Sequence, residues 1–462
     1  MNLLKWSVAL IMCNYLFACS SPKSKQTETK KKKPNIILLL ADDMGYGEMG
    51  IYGQKVIKTP HLDQLAKKSM RFSNFYTGTS VCSPSRSSLM VGLHTGHTNI
   101  RGNSGQVGEK WDRVALKKSS ETVAEMLKKG GYQTGFVGKW HLGLPEDEST
   151  WAYNRGFDFA MQEQWGISNK GEEFDERMHW INGRQDSSFY DYTKYSCLDE
   201  FRTDVGLNFL EETNKEEPFF LFMSYRTPHA HEFFVRENDL YKDNDWPEIE
   251  QTHAARITMF DQQVQRLLDK LEEMGELDNT FILFTSDNGP HNEQGHDKDF
   301  FNSSGDLKGY KRDLYEGGLR VPTFAYWKDH IEEGVITKQA ATFYDVKATF
   351  AEVAGLPHPT KTDGISFLPT LVGEPQQQHD FFYWEIQEGP SPKGFKQAAR
   401  KGHFKAVRIA NSMHTELYDL SKDDKEEHDI SKEFPELVSE LNEVMRRESE
   451  KNPHWPYSGG IF

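Results

Sequence analysis

Four apolar runs along this chain end in the same manner, and that shared ending constrains the fold more than any other feature. Asn35-Ile36-Ile37-Leu38-Leu39-Leu40 follows Pro34 and runs into Ala41-Asp42-Asp43. Thr280-Phe281-Ile282-Leu283-Phe284-Thr285 runs into Ser286-Asp287-Asn288-Gly289. Pro218-Phe219-Phe220-Leu221-Phe222-Met223 leads through Ser224-Tyr225-Arg226-Thr227-Pro228 to His229, and the shorter Gly135-Phe136-Val137-Gly138 leads into Lys139-Trp140-His141. Uninterrupted apolar runs are the mark of strands buried on both faces, as in parallel sheets. Residues 61–70, 119–131 and 258–277 space their apolar side chains as amphipathic helices do. Strands alternating with helices predict an α/β architecture, a large and mostly parallel sheet flanked by helices. In an open α/β sheet the site gathers beyond the carboxyl ends of the strands. Four strand ends therefore bring carboxylates, an Asp-Asn pair, a lysine and two histidines to one edge.

The texture changes near residue 375. DFFYWEIQEG, QAARKGHFKAVRI and TELYDL read as short strands joined by turns, and PELVSELNEVMRRES reads as an amphipathic helix. We therefore expect a main domain over 34–375 and a smaller C-terminal subdomain over 376–462, an antiparallel sheet with one helix.

The N-terminus reads as an address. A weakly basic start, the apolar stretch WSVALIMCNYLFA and Leu16-Phe17-Ala18-Cys19 have the layout of a secretory signal over 1–18. Leu16–Cys19 resembles a bacterial lipobox, in which Cys19 takes the lipid. Residues 20–33, polar and Lys-rich, suit a tether. The expectation is an exported protein of a Gram-negative cell, held at the periplasm or outer membrane through its lipid. A plain signal peptide is the alternative. The mature chain has no apolar stretch long enough to span a bilayer, and a formal net charge of −15 argues against a nucleic-acid partner.

Asp42, Asp43, Asp287 and Asn288 offer only oxygen donors, a set for a hard cation such as Ca²⁺ or Mg²⁺. An adjacent Asp pair repels itself unless a cation lies nearby. With Lys139, Lys311, Arg86, His141 and His229 such a cation forms a positive, donor-rich pocket for a tetrahedral oxyanion. Two cysteines remain in the domain, Cys82 and Cys197, and a disulfide between them is one reading of Cys82.

The residues around Cys82 point elsewhere. Cys82-Ser83-Pro84-Ser85-Arg86 resembles the C-x-P-S-R signature of the type I sulfatases, within the alkaline phosphatase superfamily. Gly138-Lys139-Trp140-His141-Leu142-Gly143, Ser286-Asp287-Asn288-Gly289-Pro290 and Tyr315-Glu316-Gly317-Gly318-Leu319-Arg320-Val321-Pro322 resemble further segments of that family. The resemblance implies an alkaline-phosphatase-like sandwich and a sulfuric ester hydrolase. It implies that a maturase oxidises Cys82 to formylglycine, whose hydrated aldehyde attacks sulfur and then expels sulfate. It further implies one Ca²⁺ held by Asp42, Asp43, Asp287, Asn288 and the modified Cys82. Arg86 would hold the nucleophile, Lys139 and Lys311 the sulfate oxygens. His141 would be the base for elimination, and His229 the acid that protonates the leaving alcohol.

The expected substrate is a sulfated oligosaccharide, from algal polysaccharides such as ulvan or carrageenan or from host glycans. His291, after the Asp287-Asn288-Gly289-Pro290 segment, and Arg101 are candidate sugar contacts, with His94 and His97 in the run that follows the nucleophile. Two other readings stand beside this one. A phosphate ester hydrolase of the same superfamily would usually carry a Ser or Thr nucleophile and a His-rich two-zinc set, whereas some phosphonate monoester hydrolases also use formylglycine. A non-catalytic glycan-binding lipoprotein would have lost a ligand or the nucleophile.

Overall fold

The computed structural model describes residues 32–163, 178–189, 194–230, 235, 240–409 and 414–459. The expected signal segment, Cys19 and most of the tether lie outside the described residues. Among the described residues ten strands form the large sheet: β1 (Asn35–Asp42), β2 (Met70–Phe72), β3 (Gln133–Gly138), β4 (Phe159–Glu163), β5 (Met178–Ile181), β6 (Arg184–Phe189), β7 (Phe219–Pro228), β8 (Thr280–Ser286), β9 (Thr323–Tyr326) and β10 (Ile336–Thr337). Their order is β10-β2-β9-β8-β1-β7-β3-β4-β5-β6.

The four apolar runs read from the sequence are the four adjacent strands β8, β1, β7 and β3, and all three pairings among them are parallel. Register sets their ends level. Ala41 pairs with Ser286, Leu40 with Ser224, and Ser224 with Gly138. The residues that follow each strand therefore emerge at one edge. Burial on both faces explains the unbroken apolar runs. On β1, Ile36, Leu38 and Leu40 enter one core cluster while Ile37, Leu39 and Ala41 enter the other.

Helices cover both faces. One cluster contains residues of α2 (Cys82–Val91), α3 (Val123–Lys129) and α6 (Asp345–Val353). The other contains residues of α1 (Pro60–Lys67), α4 (Leu198–Glu212) and α5 (Glu248–Met274). The helical spacing of 61–70, 119–131 and 258–277 is thus realised as α1, α3 and the C-terminal part of α5.

A four-stranded antiparallel sheet follows, β11 (Phe382–Gln387), β12 (Phe395–Lys401), β13 (Phe404–Ile409) and β14 (Glu416–Asp419), with α7 (Pro435–Glu448) packed against it. Arg101, in the segment that follows α2, is bonded to this sheet. Its guanidinium is buried, with NH1 2.6 Å from Glu385 Oε1 and 2.7 Å from the Glu450 carbonyl.

Candidate active site

The carboxylates converge because β1 and β8 are neighbours. Asp42 closes β1, and Asp43 turns the chain with φ of 67°. The Asp43 amide donates to Asp287 Oδ1 at 3.0 Å, and the Asp287 amide donates to the Ala41 carbonyl at 3.1 Å. Asn288 Nδ2 donates to Asp43 Oδ1 at 2.7 Å. The glycine after Asn288 is a steric requirement, since a Cβ on Gly289 would sit 1.9 Å from the Gly317 carbonyl oxygen. Gly138 plays the same part before Lys139, with φ of 112° and the Ser224 carbonyl 2.0 Å from any Cβ placed there.

Cys82 occupies the first turn of α2, its Sγ 3.6 Å from Asp42 Oδ1 and 3.8 Å from Asp43 Oδ1. All ten residues of α2 are buried, so the polar side chains of the C-S-P-S-R run bond inside the protein. Ser83 Oγ donates to the His141 carbonyl at 2.8 Å, and Ser85 Oγ accepts from the Gly78 amide at 3.1 Å. One helical turn beyond Cys82, Arg86 spreads beneath the site. Its Nε donates to Asp287 Oδ2 at 2.8 Å, and NH1 donates to the Lys139 carbonyl at 2.7 Å and Ser224 Oγ at 2.6 Å. Cys82 and Cys197 are both free thiols, which closes the disulfide reading.

Fixed cations ring the carboxylates. Lys139 Nζ lies 2.7 and 2.6 Å from the two oxygens of Asp42. Lys311 Nζ lies 2.8 Å from Asp43 Oδ2, and His229 Nε2 is 3.8 Å from the same oxygen. Burial alone would raise the Asp42 pKa, but the charges of Lys139, Arg86 and Arg226 hold it well below the usual carboxylate range. Asp287 goes the other way, pushed up to about 7 by burial and then by the charge of Asp42. Burial, with Asp287 and Asp42 beside it, pushes the Cys82 thiol up despite its place at a helix N-terminus. Burial and the charges of Lys139, Arg113 and Arg86 hold His141 well below the usual histidine range, so its imidazole is neutral at pH 7.

The donor set fits a hard divalent cation. Three carboxylates and an amide converge, and Asn288 Oδ1 is buried with no hydrogen-bond partner among the described residues, an acceptor left over for a ligand. A cation there would relieve the repulsion that raises Asp287.

The structure thus gathers Asp42, Asp43, Cys82, Arg86, Lys139, His141, His229, Asp287, Asn288 and Lys311. It adds Arg226, whose Nε is 3.9 Å from Asp42 Oδ2, and Glu293, which accepts from Lys311 at 3.1 Å. Arg226 was visible in the run from β7 to His229, whereas nothing in the sequence marked Glu293. Of the suggested sugar contacts, Arg101, His94 and His97 lie away from this edge, and His291 lies beside it, near Asp43 and Lys311. Arg101 is enclosed by Glu385 and backbone carbonyls. His291 is buried, accepting from the Glu293 amide through Nδ1 at 3.2 Å and placing Nε2 3.1 Å from the Pro228 carbonyl. It braces the turn that carries His229. His94 and His97 lie beyond the far end of α2 beside Asp363 and Glu448.

Comparison with known proteins agrees with this geometry. The family model for sulfatases matches residues 34–356, and that for the C-terminal region of N-sulphoglucosamine sulphohydrolase matches 308–451. The chain is 33% identical to an arylsulfatase of Hemicentrotus pulcherrimus, over 82% of this chain and 68% of that protein. It is 26% identical to the N-acetylgalactosamine-6-O-sulfatase of Bacteroides thetaiotaomicron, over 93% of this chain and 96% of that one. The crystal structure of Ps i-CgsB in complex with k-i-k-neocarrahexaose superposes with a TM-score of 0.79 at 27% identity, covering 92% of this chain and 95% of the other. A family model spanning most of the chain and an edge that gathers the C-S-P-S-R cysteine with a hard-cation set lead to one conclusion: this chain belongs to the sulfatase family.

Proposed function

We propose that this protein removes sulfate from sulfated oligosaccharides, using a formylglycine made from Cys82 and one calcium ion. The observation that carries the reading is the position of Cys82. A thiol whose pKa is raised by burial and by the charges of Asp287 and Asp42 is a poor nucleophile in its own right, yet it sits 3.6 Å from Asp42 and 3.8 Å from Asp43, two of the three carboxylates of a hard-cation set. Conversion to an aldehyde, whose hydrate supplies a hydroxyl nucleophile and a second hydroxyl to drive sulfate release, resolves that mismatch. It requires a maturase acting on the Cys82-Ser83-Pro84-Ser85-Arg86 segment. The all-oxygen donor set favours calcium, which would neutralise charge on the sulfate and on the nucleophile.

The chain's own residues supply the rest. Arg86 fixes Asp287 and the floor of the site through three hydrogen bonds. Lys139 and Lys311, both buried, present ammonium groups to the sulfate oxygens as charge shifts during S–O cleavage. His229 donates a proton to the departing alcohol oxygen. His141, neutral at pH 7, accepts the proton released when the aldehyde is regenerated.

The sulfated glycan as substrate is supported by similarity to an N-acetylgalactosamine-6-O-sulfatase and to Ps i-CgsB, whose structure is a complex with k-i-k-neocarrahexaose. The lipobox-like Leu16–Cys19 supports export and a lipid anchor. The test is sulfate release from a panel of defined sulfated oligosaccharides, with phosphorylated counterparts alongside. A phosphate monoester carries about −1.5 to −2 at neutral pH, and two-metal sites stabilise that extra charge more fully. Sulfate esters should therefore be preferred by a wide margin in kcat/KM; equal rates on the phosphorylated set would overturn the reading.

A further inference from the structure

Arg312 adopts φ of 77°, a left-handed conformation that a side chain with a Cβ rarely takes and that clusters at functional sites. Two backbone hydrogen bonds hold it there. Its amide donates to the Ser80 carbonyl at 2.8 Å, two residues before the nucleophile, and its carbonyl accepts from Lys396 Nζ at 2.8 Å. Lys311 and Arg312 accordingly part company. Lys311 is buried against Asp43, whereas Arg312 stands at the rim with its side chain 39% exposed. There its Nε lies 2.8 Å from Glu388 Oε1, just past β11, and NH1 donates to Glu293. Glu293 also accepts from Lys311, so this rim is continuous with the catalytic pocket.

A guanidinium between two carboxylates offers both donors and acceptors, with Lys311 on Glu293 and Lys396 on the Arg312 carbonyl as the neighbouring cations. Such a surface matches the hydroxyl groups of a sugar ring, which donate and accept, and repels a second sulfate brought against Glu293 and Glu388. We infer that Arg312, Glu293 and Glu388 form a sugar subsite that reads free hydroxyls beside the scissile sulfate and disfavours a sulfated neighbour. This inference rests on the sulfatase reading above.

The test uses full-length matured protein and three substrates: para-nitrophenyl sulfate, an oligosaccharide with one sulfate on its terminal ring, and the same oligosaccharide with a second sulfate on the adjacent hydroxyl. Asn tolerates the left-handed backbone, so Arg312→Asn removes the side chain with least disturbance. Its kcat/KM on the monosulfated sugar should fall roughly ten-fold further than on the aryl sulfate, the scale of lost hydrogen bonds to a charged group. Glu388→Gln should narrow the preference for mono- over disulfated sugar by about three- to five-fold, as expected of a partly exposed charge. Equal losses on aryl and sugar substrates, or a Glu388→Gln preference unchanged from wild type, would overturn the subsite alone. Absence of sulfate release from all three substrates by wild-type protein bearing formylglycine would overturn the sulfatase reading and the subsite with it.

Discussion

Lys139 grips both oxygens of Asp42, with Nζ 2.7 Å from Oδ1 and 2.6 Å from Oδ2, and both side chains are buried. A buried pair of this kind costs more to break than it contributes when intact. Lys139→Met leaves Asp42 charged and short of its nearest partner. Urea unfolding in chelator should show a loss of about 3–5 kcal/mol. Lys139→Met combined with Asp42→Asn should recover a substantial part of that loss. A double variant no better than the single one would mean that Lys139 acts by packing and not by charge.

Calcium should be bound at one equivalent and be required for turnover. Asp287→Ala removes one carboxylate of the proposed calcium set and should abolish sulfate release while leaving the far-ultraviolet circular dichroism near wild type. Elemental analysis of active protein showing stoichiometric zinc without calcium would contradict the all-oxygen site.

His229 should matter most where the leaving group is poor. General acid catalysis contributes roughly 10²–10⁴-fold when the departing oxygen needs a proton. A sugar alkoxide needs one; a nitrophenolate barely does. His229→Ala should lose far more rate on a sulfated oligosaccharide than on para-nitrophenyl sulfate, and equal losses would reduce His229 to a binding contact.

The catalytic edge was legible because parallel strands buried on both faces leave long apolar runs, and because chemistry-bearing residues follow those runs directly. Asp42, Lys139, His229 and Asp287 needed no information beyond adjacency in sequence, and the C-S-P-S-R run supplied Cys82 and Arg86. The C-terminal sheet and helix were also readable from alternating strands and one amphipathic stretch. The rim was not. Glu293, Arg312 and Glu388 meet only through the packing of β11 against the loop before Tyr315, and no local pattern announces a contact made across so many residues. The orientation of His291 was hidden for a related reason. His291 follows the Asp287-Asn288 pair closely, but its ring turns inward to the Pro228 carbonyl.

His291 should set part of the acid sensitivity. Burial leads in depressing its pKa from 6.5 to about 4. Below about 6.5 the unfolded chain takes up a proton that the folded protein refuses, so stability is full above that pH and declines as pH falls toward 4. At about 1.4 kcal/mol per pH unit the whole effect is on the order of 3 kcal/mol. His291→Asn should flatten the fall in Tm between pH 6.5 and 4.5. A slope identical to wild type would assign the acid sensitivity to other groups.

The most direct test of the account is the mass of the tryptic peptide that ends at Arg86, taken from protein of measured sulfatase activity. Replacement of the thiol by an aldehyde lowers the mass by about 18 units relative to Cys. Active preparations should contain that form, and activity should rise in proportion to its fraction as co-expression with a maturase is varied. Full activity in protein whose Cys82 is entirely an unmodified thiol would contradict the mechanism.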